Sequence, residues 1–219
     1  MTYSAPIHTE PGFWQTEILD ILFPRSPNPA VSLTQDAELL RQLGFIPGLK
    51  EILMTRQVHA LEHATVWVLT NMAGHSRSPN AIQSESLGGL SIDRGFYLYG
   101  TAPTGDISRA AQIALRRITA GEWDLAVHPR CGTNLSVGMV LTAGFALGAS
   151  ALLPKDPIGQ LVGVGMAAVT AAQLTPELGA LAQRYITTAI PFNLAISNIS
   201  LQRDEIGRAA HFIEVQWVD

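Results

Sequence analysis

The chain has 219 residues, 15% of them charged, with a net charge of −4 and a mean hydropathy of +0.20. Ordinary soluble domains carry roughly 25% charged residues, so this composition points to a chain partly solvated by lipid. The absence of a basic stripe argues against nucleic acid as a partner, and a single cysteine, Cys131, excludes an internal disulfide framework.

The start of the chain, Met1 to Pro11, shows no basic region followed by an apolar run. No cleaved signal is therefore expected, and any membrane segment should lie within the chain. Residues 1–34 read as an irregular N-terminal segment, because Pro6, Pro11, Pro24, Pro27 and Pro29 interrupt any long helix. Phe13 to Leu22 has the pattern of a turn or two of amphipathic helix. Asp36 to Leu43 fits a short helix stopped by Gly44.

Pro47 suits the first position of a long helix. No glycine or proline follows Gly48 until Gly74, which supplies the stop. Residues 74–86 are polar and read as a loop. Leu90 to Tyr99 predicts two short strands around a turn at Asp93-Arg94-Gly95. An amphipathic helix is expected from Asp106 to about Ala120, with Ile107, Ala110, Ala111, Ala114, Leu115 and Ile118 on one face. Trp123 to Val127 is expected to form another strand, leading into His128-Pro129-Arg130-Cys131-Gly132-Thr133-Asn134.

Beyond Arg130 the charges vanish. Residues 131–154 and 157–176 carry none, and Pro154-Lys155-Asp156-Pro157 separates them. Spanning a bilayer takes about 20 mainly apolar residues, so residues 133–176 read as a transmembrane helical hairpin. Gly144 with Gly148, and Gly159 with Gly163, are spaced for close helix packing in lipid. A buried hairpin in a soluble protein is the alternative. The hairpin returns the chain to its starting side. Arg109, Arg116, Arg117 and Arg130 precede it, Arg184, Arg203 and Arg208 follow it, and the turn has only Lys155. The positive-inside rule then places both termini on the cytoplasmic side of a plasma or thylakoid membrane. Residues 177–219 form a C-terminal segment returning to the domain of residues 35–132. Within it, residues 185–202 read as interfacial and Phe212 to Val218 as a strand. The expected class is α+β: a long motif-bearing helix with a small mixed or antiparallel sheet, plus an inserted two-helix transmembrane hairpin.

The chemistry centres on the long helix. His59 and His63 are four residues apart and share a face. Two imidazoles at that spacing suit adjacent corners of a zinc tetrahedron. Glu62 lies on the same face, in position to act as a general base toward water. The order His-x-x-Glu-His is that of the inverted zincins. The plainer account is a simple hydrogen bond between His59 and Glu62. His128 and Cys131 are the candidates for further metal ligands. With one of them the site keeps an open position and is hydrolytic; with both it is closed and structural. A third possibility makes Cys131 a nucleophile, favoured as thiolate by Arg130 and paired with a histidine base. His8, His75 and His211 read as surface or capping residues, and Trp67 as core packing.

Two segments, His59-Ala60-Leu61-Glu62-His63 and His128-Pro129-Arg130-Cys131-Gly132-Thr133, resemble the YqhQ-like bacterial membrane proteins. That family is described as predicted metal-dependent enzymes. The resemblance implies His59, His63 and one of His128 or Cys131 as ligands, and names no substrate. It covers about residues 56–71 and 122–145, and Ala64 departs from the family's lysine. The chain also resembles an uncharacterised domain family of photosynthetic lineages, which implies a thylakoid or plasma membrane. The expected function is a membrane-embedded zinc-dependent hydrolase, peptidase-like, acting on a membrane-protein segment or lipid-derived substrate. The alternative is a non-catalytic membrane assembly or scaffold factor with a structural metal or none. Expected partners are membrane lipids and a membrane-protein substrate or client.

Overall fold

The computed structural model describes residues 29–75 and 87–218. The expected turn of helix at Phe13 to Leu22 and His8 lie outside these. Helix α1 runs Pro29–Leu43, starting ahead of the expected Asp36. Helix α2, Leu49–His75, follows. It begins at Leu49 rather than Pro47 because Gly48 has φ +82°, a left-handed conformation that a helix does not admit. The Gly48 carbonyl then accepts the Ile52 N–H at 3.0 Å.

α2 is the core of the protein. Val58, Ala60, Leu61, His63, Val66 and Leu69 are all buried, on every side of the helix. Such all-round burial marks a central helix, not a surface one. Against it pack helix α3, Thr104–Thr119, and a four-stranded sheet. α3 buries Ile107, Ala110, Ala111, Ala114 and Ile118, the face expected from its spacing.

The sheet comprises β1 (Gly88–Ile92), β2 (Gly95–Tyr99), β3 (Leu194–Arg203) and β4 (Ala209–Trp217). All neighbours are antiparallel, in the order β1-β2-β4-β3. Side chains alternate across it. Phe96, Leu98, Ile213 and Val215 join the main core, while Tyr97, Ala210 and Phe212 form a small cluster on the other face. Residues 185–202, expected to be interfacial, instead contain most of β3. The register skips between Ile196 and Asn198, so a bulge breaks the alternation that would have marked the strand. Trp123 to Val127 is not a strand either; Trp123–Ala126 is a 3₁₀ turn. Its carbonyls serve side chains: Ala126 accepts from His63 and Val127 from Trp67.

Helices α4 (Gly132–Leu152) and α5 (Pro157–Ala182) form the hairpin. Asp156 caps α5 by accepting the Gly159 N–H at 2.8 Å. Both helices are long and apolar enough to cross a membrane, and α4 has no buried residue. Leu135, Met139, Val140, Leu147, Leu161 and Met166 are more than half exposed. A hairpin buried in a soluble core would hide these side chains. The helix contact does not use the expected glycine pairs as such. Gly144 and Gly148 face open space, whereas Gly163 meets Ala149 and Leu153, Gly138 meets Thr175, and Gly179 meets Asn134. α5 ends in a π-helical turn, Gln183–Thr187, that leads back to the sheet.

Candidate metal centre

α2 places His59, Glu62 and His63 on one face. The two imidazole rings meet edge-on with centroids 4.4 Å apart. His59 Nδ1 lies 3.1 Å from the Thr187 carbonyl, and His63 Nδ1 lies 2.6 Å from the Ala126 carbonyl. A carbonyl only accepts, so both Nδ1 atoms carry the proton and donate. Each Nε2 lone pair is thereby turned inward. This is the arrangement in which a backbone carbonyl fixes the tautomer of a metal-binding histidine.

Cys131 reaches the same point from the start of α4. It is the N-cap, its Sγ accepting the Thr133 N–H at 3.4 Å. The sulfur stands 3.2 Å from His59 Nε2. Burial pushes the Cys131 thiol up, but the hydrogen bond and charge of His63, with the bonds from Thr133, outweigh it and hold the thiol below its ordinary range. The donor atoms of His59, His63 and Cys131 all lie within 4.8 Å of one another. Two imidazole nitrogens and a thiol sulfur are donor types that zinc takes.

Glu62 borders this cluster, with its Oε2 accepting from Ser91 Oγ at 2.5 Å. Burial raises its carboxyl above the usual range, against the opposing effects of the Ser91 bond and His59 charge. The strand β1 passes so closely that a Cβ on Gly89 would lie 2.1 Å from Glu62 Oε1. Only glycine leaves the carboxylate its place. A cavity of about 360 Å³ opens here, lined by His59, Glu62, His63 and Cys131 with residues of β1 and the turn before α4.

His128 lines the same cavity but is not among the three converging donors. Its Nδ1 accepts the Arg130 N–H at 3.3 Å, and its ring packs 5.1 Å from Trp67 and 5.7 Å from His63. Burial, then the charges of His63 and Arg130, lower its pKa to about 4. It is neutral near pH 7.

Residues of the chain 54–199 match the domain of unknown function DUF6391. The protein belongs to that family. The DUF6391 match spans the site from His59 to Thr187, including the hairpin and the π-helical turn. The protein is also 52% identical, over 85% of its length and 91% of the relative's, to an uncharacterised protein of the cyanobacterium Picosynechococcus sp. (strain ATCC 27264 / PCC 7002 / PR-6). No solved structure matches it. These relationships support the resemblance to a family of photosynthetic lineages and lend nothing to the YqhQ-like one.

Several supporting residues of this DUF6391 site are not marked by the motif. Gln183 is fully buried, accepting the His128 N–H at 2.8 Å and donating to Asn134 Oδ1 at 2.8 Å. Thr133 and Thr187 pair through their hydroxyls at 3.2 Å. Trp67, expected to be core packing, donates to the Val127 carbonyl at 3.0 Å and braces His128. His211 is not a surface residue. It lies within β4, buried, with Nε2 2.9 Å from Thr104 Oγ1. The tandem Gly88-Gly89 is the one sequence signal that could have flagged the close approach to Glu62.

Proposed function

We propose that this DUF6391 protein is a membrane-embedded zinc-dependent hydrolase. The observation that carries the reading is the convergence of three donors, His59, His63 and Cys131, beside Glu62 in a cavity. Three protein ligands and an open position are the pattern of catalytic zinc; four protein ligands would be structural. Zinc held there supplies Lewis acidity toward a carbonyl group. His59 and His63 hold their Nε2 atoms inward through their Nδ1 hydrogen bonds, and Cys131 holds its sulfur at the helix start. Glu62 takes a proton from a water molecule in the cavity as the water oxygen bonds to the substrate carbonyl carbon. It then returns that proton to the departing nitrogen or oxygen as the old bond breaks. A carboxyl with a raised pKa suits both halves of this exchange. The apolar hairpin anchors the site at the bilayer surface, with both flanking parts on the cytoplasmic side, where Arg109, Arg116, Arg117, Arg184, Arg203 and Arg208 lie.

Glu62→Gln tests this directly. The variant should retain its metal and lose about 10²–10⁴-fold in hydrolysis. A Cys131 nucleophile with His59 as base is the competing chemistry, favoured by their 3.2 Å contact. It predicts a covalent thioester on Cys131 and full activity after chelation. A non-catalytic scaffold predicts that Glu62→Gln complements a deletion strain completely.

A further inference from the structure

The cavity is bounded by an edge strand, and the register shows which backbone groups that edge presents. In an antiparallel ladder, N–H and C=O groups point alternately to the two neighbours. The Val215 N–H donates to the Arg94 carbonyl at 3.0 Å. Arg94 and Phe96 therefore face β4, while Gly95, Tyr97 and Tyr99 face β1. Their partners in β1 are Ile92, Leu90 and Gly88. Those three ladder with β2. Gly89 and Ser91 are left with N–H and C=O directed away from the sheet.

Among the described residues no strand lies on that outer side of β1. Gly88, Gly89 and Leu90 are exposed. Gly89 and Ser91 are also the two residues that adjoin Glu62, one through its missing Cβ and one through its hydroxyl. The outward backbone groups thus stand beside the proposed base and within the wall of the cavity. A free strand edge is a template for another extended chain. A lipid acyl chain has no donors or acceptors to match it.

We propose that the outer edge of β1 receives an extended polypeptide as an added strand, which, given a hydrolytic centre at His59, His63 and Cys131, makes the substrate class a peptide and not a lipid. Gly89 and Ser91 bind the substrate main chain through their N–H and C=O groups. The peptide bond next to the paired residues is held against Glu62. Selectivity for sequence is weak, since main-chain pairing reads extension and not side chains.

The test uses the full-length protein in detergent with an unstructured fluorescent peptide, offered unmodified and N-methylated at single backbone positions. Phosphatidylglycerol vesicles serve as the lipid probe. Cleavage is measured for the wild type, and binding for Glu62→Gln. Methylation at alternate positions should lower kcat/KM and affinity about tenfold, with much smaller effects at the positions between, because alternate residues of an added strand face β1. Uniform or absent sensitivity, or hydrolysis confined to the vesicles, overturns the proposal. If nothing is hydrolysed but binding shows the alternation, the edge site stands and the hydrolase reading falls. Absence of both cleavage and binding overturns the edge site as well.

Discussion

His59 Nε2 stands 3.2 Å from Cys131 Sγ across 72 residues of chain. One belongs to the central helix of the α+β domain and the other caps the first apolar helix of the hairpin. The candidate site is thus the joint between the two parts. Thr187, at the far end of the hairpin, orients His59 by accepting its Nδ1 proton.

Gly89→Ala should displace the carboxylate of Glu62, because the new Cβ would lie 2.1 Å from Oε1 and 2.2 Å from Cδ. The cost of such overpacking is about 1–3 kcal/mol. Thermal denaturation should show the loss, hydrolysis should fall, and bound metal should stay. An unchanged melting temperature with unchanged activity would contradict the packing described.

Gln183→Leu should destabilise the join between α5 and the domain. It leaves the buried His128 N–H and the half-buried Asn134 Oδ1 without the bonds that Gln183 makes to them. Each stranded group costs about 1–3 kcal/mol. Chemical denaturation in detergent, compared with an exposed control such as Gln202→Leu, checks it. Equal losses in the two variants would count against a structural role for Gln183.

The β3–β4 turn carries an acid-sensitive lock. Desolvation pushes the Asp204 carboxyl up, but hydrogen bonds from Tyr99 and Arg208 and the Arg208 charge outweigh it and bring it to about 2. A carboxyl depressed in the folded state stabilises it above the unfolded pKa of about 3.9. That contribution fades as the pH falls from about 4 toward 2. Denaturation midpoints measured across this window should drop, and Asp204→Asn should flatten the drop. An identical pH profile in the variant would show that Asp204 is not the titrating group.

Part of this was legible in the sequence. Helical periodicity alone puts His59, Glu62 and His63 on one face, and the charge-free runs mark the hairpin. That Cys131, and not His128, lies within 4.8 Å of both helix histidines was not legible, because it depends on the Arg130 N–H reaching His128 Nδ1 and on the capping geometry of α4. The segment at Trp123 looked like a strand because its residue types do not reveal that the Ala126 and Val127 carbonyls are committed to His63 and Trp67. β3 was hidden by its bulge. Nothing in the sequence singles out Gln183, since its partners lie 49 and 55 residues away.

The central claim is that His59, His63 and Cys131 bind one transition metal. Elemental analysis of detergent-purified protein, prepared without chelators and compared with a His59→Ala/His63→Ala variant, tests it most directly. The expected result is about one equivalent of zinc in the wild type and none in the variant, with the variant still folded by circular dichroism. Wild-type protein that carries no metal and takes up none from added zinc would contradict the claim.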